Sequence, residues 1–152
     1  MIAVSDLDGL EDEAIWPPRV LLAEDNRDMQ QIFSRQLTTL GLQVVGVANG
    51  RSALELATAA WKAGHPFDVI LMDLEMPIID GYEATRQLRN DGYPGPILSL
   101  SAHSADDYRQ ESLLAGCNDC LSKPIDWAQL AVVLRKYLPN HVALHDSRRD
   151  DR

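Results

Sequence analysis

"VILMDLEMPIIDGYE", residues 69–83, decides how this chain folds. The apolar run before Asp73 does not alternate with polar residues, so it reads as a strand covered on both faces, as in a parallel sheet. After Asp73 the pattern breaks at Pro77 and Gly81, which shape a loop. From there Tyr82, Thr85 and Leu88 fall on one helical stripe over 81–90, with Asp80 as the cap. The stretch is therefore one strand, one loop and one helix, with an acid at the strand's carboxyl end.

The same unit recurs on both sides. Buried-type strands are expected at "RVLLA" (19–23), "QVVGV" (43–47), "FDVILM" (67–72), "GPILSL" (95–100) and "DCLS" (119–122). Helices fill the gaps. Residues 26–40 stripe Met29, Phe33, Leu37 and Leu40, with Asn26 as cap and Gly41 as stop. Residues 51–63 stripe Leu54, Ala57 and Trp61 and end at Gly64. Residues 105–115 use Tyr108 and Leu113 before Gly116. Residues 126–138 begin at Asp126 and stripe Leu130, Val133, Leu134 and Tyr137. Five βα units in series imply an α/β fold. The expected form is a doubly wound, flavodoxin-like (βα)5 domain with a five-stranded parallel sheet in the order 2-1-3-4-5.

The domain spans 19–138. Residues 1–18 hold five acids and no Lys or Arg, and end in "WPP", so they read as an acidic tail or linker, with Trp16 its anchor. Residues 139–152 read as a polar tail. The net charge is −9 with no basic stripe, which argues against binding nucleic acid through its phosphates. No apolar stretch approaches the ~18 residues of a membrane span, and no secretory signal is visible. With only two cysteines, Cys117 and Cys120, a cytoplasmic, reduced protein is expected.

In an open parallel sheet, ligands sit beyond the carboxyl ends of the strands, where the strand order reverses. Glu24 and Asp25 follow strand 1, Asp73 follows strand 3, Ser101 follows strand 4 and Lys123 follows strand 5. Strand 2, the expected edge, is followed by Ala48 and Asn49 and offers nothing reactive. Packed carboxylates repel one another and call for a cation, and hard oxygen ligands suit Mg2+. Lys123 and the Ser101 hydroxyl can each hold a phosphate oxygen. A carboxylate can act as the nucleophile in phosphoryl transfer.

At "LLAEDN" (21–26), "LMDLEMPIIDG" (71–81), "LSA" (100–102) and "LSKPI" (121–125) the chain resembles the receiver (response-regulator) domain of two-component signalling, in the flavour attached to hybrid sensor kinases. The resemblance implies that Asp73 is the phosphoacceptor. It implies that Glu24, Asp25 and Asp73 hold Mg2+ with the backbone carbonyl of Glu75. It places Ser101 at the switch hydroxyl and Lys123 at the phosphate-binding lysine. The partner implied is a histidine kinase or histidine phosphotransfer protein, or a kinase domain of the same longer chain. With residues 139–152 alone after the domain, a stand-alone receiver or a piece of a hybrid kinase is expected. Where the family usually has Tyr or Phe three residues before the lysine, this chain has Cys120. An aromatic rotation cannot occur there, which points away from readout through the helix 4–strand 5–helix 5 face and toward helix 1. Glu75 and His103, two residues beyond Asp73 and Ser101, stand where the family tunes the lifetime of the phosphoryl group.

Taken singly, each residue has a plainer explanation: a loop acid, a capping hydroxyl, a surface lysine. Together at four strand ends they do not. Other readings fit less well. "AVSDLDGL" at 3–10 looks like a haloacid-dehalogenase-like nucleophile loop using Asp6, but "EDE" and "WPP" follow it at once. A flavodoxin-like FMN binder needs a Ser/Thr/Gly-rich phosphate loop after strand 1, where this chain has the acid pair Glu24–Asp25, which would repel phosphate. A degenerate receiver that only binds partners is the remaining alternative. "CNDC" at 117–120 has no second ligand pair for zinc and reads as packing thiols.

Overall fold

The computed structural model of the protein describes residues 17–102, 106–139 and 144. Asp6, Trp16, His103 and most of both expected tails lie outside the described residues. The strands are β1 (Arg19–Ala23), β2 (Gln43–Val47), β3 (Val69–Asp73), β4 (Ile97–Ser101) and β5 (Asp119–Ser122). The helices are α1 (Arg27–Thr39), α2 (Gly50–Lys62), α3 (Gly81–Asn90), α4 (Asp106–Ala115) and α5 (Trp127–Tyr137). All strand pairs are parallel, in the order β2-β1-β3-β4-β5.

Two strands start later than their apolar runs. Pro96 has no N–H to give, so β4 begins at Ile97, and the Pro96 carbonyl accepts from Ile70 N at 3.0 Å. The Asp68 carboxylate takes the Arg19 N–H at 2.7 Å, and the regular ladder of β3 begins at Val69. Asp73 and Ser101 are therefore the last residues of their strands, not the first beyond them. At the other end of the expected domain, Pro18 is buried and its carbonyl accepts from Gln43 N at 2.9 Å, opening the β1–β2 pairing.

The alternation of side chains along each strand divides the interior in two. Val20, Leu22, Val69, Leu71, Leu98, Leu100 and Leu121 meet Phe33 and Leu37 of α1 and Leu130, Val133 and Leu134 of α5. Leu144 packs against this layer. Leu21, Ala23, Ile70, Met72 and Ile97 meet Ala53 and Ala57 of α2 and Ala84 and Leu88 of α3. Trp127 packs edge-on to Phe33 at 5.0 Å, and Trp61 edge-on to Tyr93 at 5.5 Å. The expected caps form: Asn26, Asp80 and Asp126 each accept a backbone N–H of the following turn. Gly41, Gly64 and Gly116 stop their helices at positive φ.

The expectation for α4 is corrected. Tyr108 and Leu113 do not form a buried stripe: they are 37% and 43% exposed, and Leu114 is 82% exposed. The helix buries Ser112 and Ala115 instead. The reason is polar: Ser112 Oγ lies 2.9 Å from Ser99 Oγ of β4, so two small buried hydroxyls satisfy each other at the helix–sheet contact. Cys117, fully inside, lies 3.8 Å from Thr85 Oγ1. Burial pushes its thiol above the ordinary value, which suits a packing role.

Away from the carboxyl ends of the strands, one side chain ties two loops, before β4 and before β5. Arg89 donates to Gly116 O (2.9 Å), Tyr93 O (2.7 Å), Gly95 O (2.8 Å) and Asn118 Oδ1 (2.8 Å). Asn118 Oδ1 also accepts from Ile97 N, so the guanidinium supports the start of β4. We expect Arg89→Ala to lower the unfolding free energy by about 2–4 kcal/mol in urea denaturation, since bonds from a charged donor are lost and carbonyls are left unpaired. Arg89→Lys should recover little of it, because an ammonium cannot fork to four acceptors.

Candidate functional site

The strand register assembles the site. Ala23 pairs with Met72, so the next residues, Glu24 and Asp73, come side by side. Glu24, Asp73 and Lys123 each stand two residues beyond a buried leucine of the α1–α5 layer: Leu22, Leu71 and Leu121. They therefore continue one face of the sheet past its edge. Lys123 N donates to Ser101 O at 2.7 Å, and the lysine stem then reaches across β4 toward β3.

Lys123 Nζ lies 2.7 Å from Glu24 Oε1 and 3.0 Å from Asp73 Oδ2. Carboxylate oxygens of Glu24, Asp25 and Asp73 all lie within 4.8 Å of one another. Glu24 and Asp73 are buried and Asp25 is exposed, so the pocket opens to solvent on the Asp25 side. Asp73 Oδ1 accepts the Glu75 N–H at 3.0 Å. Ser101 is buried at the end of β4, beside Ser122 in the ladder. The Glu75 side chain is exposed, and Cys120 is half-buried on β5 opposite Ser99. The structure thus brings Glu24, Asp25, Asp73 and Lys123 together, with the backbone of Glu75.

Burial and the adjacent Asp73 raise the Glu24 carboxyl from 4.5 to about 7, against the opposing pull of Lys123. Burial acts to lower the Lys123 ammonium, but its bonds to Glu24 and Asp73 prevail and hold it above its ordinary value. Glu24 Oε2 is buried with no hydrogen-bond partner. One ammonium thus bonds two of the three clustered carboxylates, and Glu24 keeps a spare oxygen. A hard divalent cation fits that donor set.

The loop that carries Asp73 onward is tightly constrained. Gly81 N donates to Leu74 O at 3.1 Å, and a Cβ at Gly81 would stand 2.2 Å from Asp73 O. Only glycine lets α3 begin so close to the acid's backbone. Ile78 adopts φ 75, a left-handed conformation in a β-branched residue that nothing in its sequence context signals.

The comparisons with known proteins agree with this geometry. The family model for the response regulator receiver domain matches residues 20–135. The chain belongs to that family. This receiver is 33% identical over 121 residues to the osmosensing histidine protein kinase SLN1 of Saccharomyces cerevisiae, covering 78% of this chain and 10% of the kinase. It therefore spans about a tenth of that relative's length. Among solved structures it resembles the receiver domain of sensor histidine kinase PA1611 of Pseudomonas aeruginosa, which has a magnesium ion in its active-site cleft. The identity is 36%, the TM-score 0.72, and the coverage 80% of this chain and 98% of that one. It also resembles a chain in the co-crystal of the S. cerevisiae phosphotransfer protein Ypd1 with the receiver domain of Ssk1. There the identity is 28%, the TM-score 0.72, and the coverage 88% and 97%.

The raised Glu24 value sets a pH dependence. A carboxyl whose folded value lies above its unfolded value contributes stability that is complete below about 4.5 and is lost as pH rises through about 7. In urea unfolding with EDTA present, the receiver should lose stability relative to Glu24→Gln between those pH values, and the difference should level off above them. A difference that does not vary with pH would contradict the assignment.

Proposed function

We propose that this receiver accepts a phosphoryl group on Asp73 from a phosphohistidine of a kinase or phosphotransfer protein. The observation that carries the reading is the double contact of Lys123 with Glu24 and Asp73, beside Asp25, at the mouth of a buried pocket. Asp73 supplies the nucleophile: a carboxylate oxygen attacks phosphorus, the P–N bond to histidine breaks, and an acyl phosphate forms. Glu75 N–H holds the other carboxylate oxygen and fixes the angle of attack. Lys123 moves from carboxylate to phosphoryl oxygen as charge builds there, and the Ser101 hydroxyl would hold a second oxygen. Glu24, Asp25, Asp73 and the Glu75 carbonyl would hold Mg2+, which draws charge from the phosphoryl oxygens.

Several further points follow by analogy with relatives rather than from this chain alone. The receivers of SLN1-like hybrid kinases and the Ypd1–Ssk1 pair support a phosphorelay partner. Residues 1–18 are read as an acidic tail or linker and 139–152 as a polar tail of the 19–138 domain. A cytoplasmic setting suits the chemistry, and among the described residues no helix is long and apolar enough to cross a membrane. Glu75 and His103 tune the lifetime of the acyl phosphate, the latter lying outside the described residues. The receiver thereby assists its own dephosphorylation.

Incubation with Mg2+ and a small phosphodonor should add one phosphoryl group by intact mass, abolished in Asp73→Asn and retained in Asp6→Asn. Labelling that survives Asp73→Asn sinks the assignment, and no labelling of the wild type favours a receiver that only binds partners. Glu75→Ala should change the decay rate of the phosphorylated form, followed by the same mass measurement over time.

A further inference from the structure

Neither the strand ends nor the comparisons assign a role to Gln30, in the second turn of α1. Its Nε2 donates to two backbone carbonyls, Glu24 O at 3.1 Å and Val47 O at 3.0 Å. Glu24 N donates to the same Val47 O at 3.0 Å. The backbone of Glu24 is thus held on both sides, by the end of β2 through its N–H and by Gln30 through its carbonyl. That carbonyl belongs to the Glu24–Asp25 peptide plane. Fixing its direction fixes where Asp25 leaves the strand, and Asp25 is the exposed member of the acid cluster.

The opposite strand is shaped to admit this amide. Gly46 lies in β2 one residue before Val47, where glycine is otherwise a poor strand former. A Cβ at Gly46 would stand 2.8 Å from Gln30 Cδ and 2.9 Å from its Oε1. The nearest atoms are the far end of a flexible side chain, so an added methyl would displace the amide rather than disrupt the strand. The helix residue and the strand gap form one device. α1 is itself set at this point by Asn26, which accepts from Met29 N at 3.0 Å through its side chain and from Gln30 N at 2.9 Å through its carbonyl.

We propose that Gln30 is a positioning residue for the Glu24–Asp25 acid pair, and that Gly46 is there to leave room for its amide. The proposal rests on the reading of that pair as part of a Mg2+ site. It concerns the placing of the two acids, not contact with the metal. Groups that orient metal ligands commonly change metal affinity by one to two orders of magnitude when removed.

Two variants test it, one on α1 and one on β2. Gln30→Met keeps the stem and removes both donors. Gly46→Ala leaves Gln30 in the sequence and evicts its amide. Titration of each with MgCl2, read from the 1H–15N shifts of the Glu24 and Asp25 amides, should show half-saturation at roughly tenfold higher Mg2+ than in the wild type. Both amides should also be displaced before any metal is added. Variants that melt earlier in EDTA but bind Mg2+ with the wild-type midpoint would show a purely structural role and overturn the proposal. If the wild type itself shows no Mg2+-dependent shift, the metal-site reading fails first, and the two failures are told apart by that control.

Discussion

Three crowded carboxylates, two of them bonded to one lysine, are the constraint on which the rest of this structure depends. Glu24, Asp25 and Asp73 bring oxygens within 4.8 Å of one another, and two of the three acids are buried. In water such a cluster would separate. Here it cannot, because each acid is fixed to a strand end whose register is set by a ladder of backbone hydrogen bonds. The repulsion is met in part by Lys123, while burial and Asp73 push the Glu24 carboxyl up to about 7. A site held in this state favours whatever adds positive charge to it.

The scaffold around the site divides its work by face. The α1–α5 layer is apolar throughout its described buried residues and carries Glu24, Asp73 and Lys123 at its upper edge. The other face is softer near α4. There the buried contacts include Ser99, Ser112, Thr85 and Cys117, and the helix turns Leu113 and Leu114 outward. Cys120 lies half-buried on β5 opposite Ser99.

Much of this was legible in the residues. Non-alternating runs of Val, Ile and Leu at a repeating interval identified a parallel sheet, because only strands covered on both faces read that way. Asn26, Asp80 and Asp126 announced helix starts through capping chemistry, and Gly41, Gly64 and Gly116 announced stops through left-handed backbone. The α4 stripe was misread because periodicity counts apolar residues, and Ser112 is buried by a partner 13 positions away in sequence. The starts of β3 and β4 were misplaced by two residues for a similar reason. Phe67 and Gly95 belong to apolar runs, but whether they join a ladder depends on Asp68 and Pro96 meeting other strands.

By itself, the sequence determined the identity of the fold, the order of the chemistry-bearing residues along it, and the family to which they belong. These are properties of local pattern: apolar period, cap and turn residues, and an acid or base at each strand end. Only the tertiary structure decided that Lys123 bonds Glu24 and Asp73 at once, that Glu24 keeps an unpartnered buried oxygen, and that Gln30 reaches across to Val47 through the gap at Gly46. Those facts depend on distances between residues far apart in the chain. Such distances exist only once the ladders fix the register and burial removes the water that would otherwise separate the charges.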